Sequence, residues 1–220
     1  MAGYVQHAVA EDFSPTSPAT VSLTGTDGGN GIVLIAANQG TEPLSFTGVT
    51  DSVNTYSPCV GASCNSNTVA SGTQMATFFA PNVAGGSVTL SVAWTGSSGA
   101  IGLYAFEVSG VNAYDNGGGD VQPTGATADA GTFLTKYTPE IILAATIQPG
   151  SALSQGTGFT LIEITATFND LLQYAIVPAG SQSPTGNLNG SQAWGMVAAA
   201  FYKIPPPPTA MIVSAAGCGW

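Results

Sequence analysis

Arginine is absent from these 220 residues, and the only lysines are Lys136 and Lys203. Nucleic-acid affinity comes largely from Lys and Arg displacing condensed counterions, so a chain with a formal net charge of −10 is not expected to bind DNA or RNA. The same shortage removes polybasic attraction to an anionic membrane surface. Long apolar runs are also missing. "GIVLIAA" and "EIILAATI" fall well short of the roughly 20 residues that a spanning helix needs, so no membrane insertion is expected. Charged residues make up 6% of the chain against 44% hydrophobic, which is too apolar for disorder, and the chain must fold or associate.

Histidine occurs once. A Ser–His–Asp or Cys–His nucleophile system needs a base, and the alternation in "YVQHAVA" reads His7 as a strand residue rather than a catalyst. Phosphoryl transfer lacks both a Gly-rich loop with Lys and an arginine for the developing charge. The one catalytic constellation that this composition permits is a carboxylate pair for glycoside hydrolysis, with Glu107 and Glu163 as candidates because both sit in strand patterns. The alternative makes both solvent-facing carboxylates that deter edge-to-edge pairing, and the expectation is a protein that is not an enzyme.

Cysteine is scarce and odd in number. Cys59 and Cys64, in "SPCVGASCNS", would suit a local disulfide in an oxidising environment, with free thiols as the alternative. Zinc would lack ligands, since there is no second cysteine pair. Cys218 is left over, which suggests an intermolecular neighbour or a reactive thiol.

What the chain does have is strand pattern and turn chemistry. "SVTLSVAW" places Val88, Leu90, Val92 and Trp94 on one face. "AIGLYAFEVSG" aligns Tyr104, Phe106 and Val108, and "FTLIEITATF" aligns Ile162, Ile164 and Phe168. The continuous runs "GIVLIAAN" and "EIILAATI" read as central strands, and "QAWGMVAAAFYKI" is long enough to cross a sheet. "TVSLTG", "LSFTGV", "MATFFA" and "LLQYAIV" are weaker candidates. Segments such as "GTDGGNG", "YDNGGGD" and "AGSQSPTGNLNGS" between them read as turns. The expected fold is an all-β antiparallel sandwich of jelly-roll type with about ten to twelve strands, a barrel being the alternative. Residues 1–204 read as one domain with a pause near 116–120, followed by a separate segment, 205–220; no internal repeat stands out.

Two acidic Gly-rich segments, around Asp27 and from Asp115 to Asp120, could offer oxygen ligands to calcium, although ordinary turns are the expected reading and neither has EF-hand spacing. No other cofactor is implied. Tyr104, Trp94 and Trp194 could form a carbohydrate platform, but all three lie on apolar strand faces, which favours core packing.

The elements "GNGIVLIAA", "FTGVTDSVNTY", "FFAPNVAGGSVTLSVAWTG", "LYAFEVSGV", "PEIILAA" and "AGSQSPTGNLNGSQAWGMVAAAFYK" together resemble a β-sandwich domain recurrent in bacterial extracellular multidomain proteins and in phage structural proteins. The resemblance covers about residues 29 to 203 and implies the sandwich fold. This chain departs from it in the cysteine loop after Tyr56 and in its proline-led end.

That end, "FYKIPPPPTAMIVSAAGCGW", gives Pro205, Pro206, Pro207 and Pro208 as a stiff polyproline II spacer of about 12 Å. Beyond it, Met211, Ile212, Val213, Cys218 and Trp220 make an apolar arm suited to docking on a neighbour, with folding back on its own sandwich as the alternative. "MAGYVQHAVAEDFSP" has neither a basic n-region nor an apolar h-region, so either a leader was removed or release follows lysis or a dedicated route. The expected role is a structural or assembly protein on a virion surface, as capsid decoration or tail component, partnered by copies of itself or by a host lattice. The second expectation is an extracellular module that binds cell-surface glycan or mediates adhesion.

Overall fold

The computed structural model describes residues 1–40, 44–59, 67–68 and 74–205. The chain is an all-β antiparallel sandwich, with seventeen strands among the described residues. The first half contributes β1 (Gly3–Asp12), β2 (Ala19–Thr26), β3 (Gly31–Gln39), β4 (Leu44–Thr50), β5 (Ser57–Pro58), β6 (Asn67–Thr68), β7 (Gln74–Ala80), β8 (Gly86–Gly96) and β9 (Ala100–Ser109). The second contributes β10 (Ala113–Asp129), β11 (Phe133–Thr135), β12 (Glu140–Ile147), β13 (Ala152–Gln155), β14 (Thr160–Ile164), β15 (Leu171–Val177), β16 (Gly180–Gln182) and β17 (Thr185–Tyr202).

Strand pairing in the first half is nested: β1 pairs with β9, β2 with β8 and β3 with β7. The nest is then rolled so that β3 lies beside β9 and β4 beside β8, which is jelly-roll winding. The second half repeats it, with β10 on β17, β11 on β16, β12 on β15, and β12 rolled against β17. The inner sheets run β1-β9-β3-β7-β5 and β10-β17-β12-β15-β14, and the outer sheets are β2-β8-β4 and β11-β16. The architecture is therefore one winding used twice. Its trace in the sequence is "IVLIAANQG" in β3 and "IILAATIQPG" in β12, too short to stand out as a repeat.

The two inner sheets pack face to face. Val33, Ile35, Tyr104 and Phe106 from the first half meet Ile141, Leu143, Val197 and Phe201 from the second. The reverse face of the first inner sheet, with Ile32, Leu34, Leu103 and Ala105, packs on Leu23, Leu90, Val92 and Trp94 of its outer sheet. The reverse face of the second packs Ile142, Ala144, Met196 and Ala198 on Phe133, Leu188 and Leu171. A strand covered on both faces favours apolar residues at nearly every position, which is why β3 and β12 read as continuous runs while β8 alternates.

Three expectations are corrected. "YDNGGGD" is not a loop: it lies in β10, where Gly117, Gly118 and Gly119 pair with Ala199, Ala198 and Val197. Glycine is required there by close approach, since a Cβ on Gly118 would sit 2.2 Å from the Ala130 carbonyl oxygen. "AGSQSPTGNLNGS" likewise holds β16 and the start of β17; only Gly186 and Leu188 of its β17 portion are buried, so no apolar alternation marks it. Third, a register shift between Leu161 and Glu163 sends Ile162 into the core between the inner sheets and Ile164 to the opposite one, so they do not share a face. Gly118→Ala is expected to destabilise by about 1–3 kcal/mol through overpacking, whereas Gly48→Ala, whose Cβ would meet nothing within 4 Å, should melt like the parent in a thermal denaturation.

Candidate functional site

The carboxyl groups of the chain are placed by strand register. Glu107, in β9, alternates with Phe106 and so faces the outer sheet β2-β8-β4. It is fully buried and accepts hydrogen bonds from the Asp27 amide (2.7 Å), Asn30 Nδ2 (2.7 Å) and Gln6 Nε2 (2.6 Å), which tie the β2–β3 turn to the inner sheet. Glu163, in β14 of the second half, lies 2.6 Å from His7 Nε2. His7 is in β1, as its alternation predicts, and its ring stacks near Phe106 on the side away from Glu107. Its Nδ1 lies 2.7 Å from the Tyr4 hydroxyl, so the ring bridges Tyr4 and Glu163. The two glutamates thus stand on opposite sides of the β1/β9 layer and do not flank a common space, as a two-carboxylate hydrolysis requires.

The calcium candidates are also separated. Asp27 belongs to the β2–β3 turn, while Asp115 and Asp120 belong to β10. Asp115 sits 3.4 Å from Lys136 Nζ, and Asp120 accepts locally from the Val121 amide and Gln122 Nε2. No group of three or more His, Cys, Asp or Glu side chains among the described residues is arranged to hold a metal ion. Trp94, Tyr104 and Trp194 are core residues, so none forms an exposed platform. Cys59 is buried in the core between the inner sheets; Cys64, Cys218 and the arm from Pro206 onward lie outside the described residues, and Pro205 is the last residue before them.

Two titratable clusters had no signal in periodicity or motif. In the first, the Tyr104 hydroxyl is hydrogen-bonded to Asp170, and the Asp170 carboxyl group also accepts the Gln148 backbone amide. Burial, with Glu11 nearby, holds the Asp170 carboxyl well above the ordinary range, and burial beside Asp170 also raises Tyr104. Glu11, from β1, caps the 165–168 turn by accepting the Thr167 and Phe168 amides. Its Oε1 has no donor among the described residues, and it lies close enough to interact with Tyr104. This cluster joins β1 and β9 of the first half to the 165–170 turn of the second.

In the second cluster, Glu140 is fully buried and accepts the Tyr137 amide at 2.6 Å, while its Oε2 receives no donor among the described residues. Burial raises the Glu140 carboxyl, and the adjacent Asp115 carboxyl adds to it. Tyr137 stacks on Tyr202 with centroids 3.8 Å apart, and their hydroxyl contact pushes the Tyr202 phenol up to about 12. Comparison with protein-family models, with curated proteins and with solved structures returned no match.

A further surface feature is the outward face of β2-β8-β4. Because Val88, Leu90, Val92 and Trp94 point inward, the alternate positions Ser87, Thr89, Ser91, Ala93 and Thr95 point out. Thr20, Ser22 and Thr24 of β2 and Ser45, Thr47 and Thr50 of β4 join them. Ser22 and Thr89 hydrogen-bond across the strands at 2.8 Å. This face carries hydroxyls and methyls but no charged strand residue. Its rim is the turn "TDSVN", where Asp51 collects the Val53 and Asn54 amides, Asn54 Nδ2 and the Tyr56 hydroxyl. Burial works against ionisation there, yet these donors hold the Asp51 carboxyl below its ordinary value.

Proposed function

We propose that this chain is a non-enzymatic structural protein that works in an assembly, as an exposed bacteriophage virion component of the capsid-decoration or tail kind. The observation that carries the reading is the use of carboxyl groups as internal braces. Glu107 ties a turn to a sheet, and Asp170, Glu11 and Glu163 tie one jelly roll to the other. A body braced in this way, with a core running between its two halves, suits a part that must hold its shape. The resemblance to a domain of phage structural proteins supports the same reading. Its partners are further copies of the chain or a host lattice, engaged through the apolar arm. The test is light scattering of the full chain and of a chain ending at Ile204, each with and without reductant. An assembly that forms only with the arm is expected; equal masses in every condition would remove the arm from the proposal.

A second reading, an extracellular glycan-binding or adhesion module, is favoured by the uncharged hydroxyl-bearing face of β2-β8-β4.

A further inference from the structure

Two shallow, open depressions of about 350 and 500 Å3 lie along the outward face of β2-β8-β4, and both are lined by Thr50 and Ser91, so they adjoin as one shallow groove running over the paired strands β8 and β4 to the 50–53 turn. Ser87, Thr89 and Ser91 furnish the β8 side, Thr47 and Thr50 the β4 side. Val53, 70% exposed, stands at one end and Pro18 at the other. From Ser87 to Ala93 the floor runs about 20 Å at the usual rise per strand residue, which suits a linear polymer better than a single small ring.

The chemistry of the lining narrows the occupant. Both lysines lie in the second half, outside the groove, so a polyanion finds no cation in it. Asp51 is the one acid on the rim, and its two oxygens already accept four donors, which leaves little for a cationic peptide. An extended peptide gains its affinity from main-chain bonds to a strand edge, whereas this floor is a strand face made of side chains. Hydroxyls differ from all of these groups in that each can donate or accept by rotating. Among the described residues, those of Thr47, Ser87 and Ser91 have no intramolecular partner. They match a ligand whose own polar groups are hydroxyls, while Val53 and Pro18 offer apolar contact to the C–H faces of its rings.

We infer that the groove along β8 binds a linear, uncharged polysaccharide, lying parallel to the strand and held by the hydroxyls of Thr47, Thr50, Ser87, Thr89 and Ser91. The inference rests on the second reading above and names its site and ligand class. Affinity electrophoresis of the full chain through gels containing mixed-linkage β-glucan, xylan, glucomannan or dextran tests it, with heparin as the polyanion. Ser91→Lys and Thr89→Lys obstruct the groove from outward-facing positions, and Thr160→Lys, on the far edge strand β14, is the control; thermal melts check that all three fold. Retardation by at least one neutral polysaccharide is expected, weakened tenfold or more in both groove variants and unchanged in Thr160→Lys. Retardation that survives both groove variants would overturn the groove while leaving a glycan-binding module elsewhere on the chain. No retardation by any neutral polysaccharide, or retardation by heparin alone, would overturn the groove and the second reading together.

Discussion

Phe201→Ala is expected to be the most damaging single substitution in the protein, lowering stability by roughly 3–5 kcal/mol and melting the whole chain in one transition. Phe201 has no exposed surface, and β17 holds it between β10 and β12. Its ring lies 4.8 Å from Phe79 of the first half and 6.0 Å from Tyr114. Truncation therefore opens a cavity in the one core that both jelly rolls share, and it also removes aromatic pairs worth about 0.5–1.5 kcal/mol each. At about 2–4 °C per kcal/mol for a chain of this size, the melting temperature should fall by of order 10 °C. Differential scanning calorimetry decides the matter: two separated transitions would mean that the halves do not depend on their common core.

Asp170→Ala should rank second. It strands the Tyr104 hydroxyl and the Gln148 amide, two buried donors whose loss of a partner costs about 1–3 kcal/mol each. Asp170→Asn keeps an acceptor and should cost much less. The pair of variants also separates packing from titration. Because burial raises Asp170 and Glu140 in the folded chain, the folded state holds protons that the unfolded chain releases at ordinary carboxylate pH. Their stabilising contribution is present below that pH and is lost as pH rises through the folded values. Asp51, held low, acts in the opposite sense and loses its contribution as the solution becomes strongly acidic. The melting temperature should accordingly be higher near about pH 5 than near about pH 8, and Asp170→Asn should flatten that slope. A parent whose stability rises between the two would mean that Asp170 is ionised in the fold.

The fold class was legible because both sources of pattern point the same way. Val88, Leu90 and Val92 alternate where one face meets solvent, and Ile32 to Ala37 run without a break where both faces are covered. What escaped were strands whose residues carry no apolar rhythm. Gly118 of β10 is there because Ala130 approaches its backbone, and the polar start of β17 covers the second core with Leu188 and Gly186 only. The candidate carboxylates show a second limit. Glu107 and Glu163 were correctly read as strand residues, but the side of a sheet that each occupies depends on a bulge and on which half packs against which. Asp170 and Glu140 precede or open strands in unremarkable contexts, and only tertiary packing buries them and shifts their titration.

Nested winding also sets an order of events during synthesis. In each half the last strand lies between the first and the third, β9 between β1 and β3 and β17 between β10 and β12. Neither inner sheet can close until its final strand has left the ribosome, and the contacts that close it join residues about a hundred positions apart, such as Gly3 with Ser109. Closing such long loops is slow, because the chain loses its freedom before the pairing compensates. The first half must therefore wait, incomplete, until Ser109 emerges, and the core shared by both halves is finished only when Phe201 arrives. A nascent chain stalled before β17 would present the unpaired edges of β10 and β12, the condition under which β proteins aggregate.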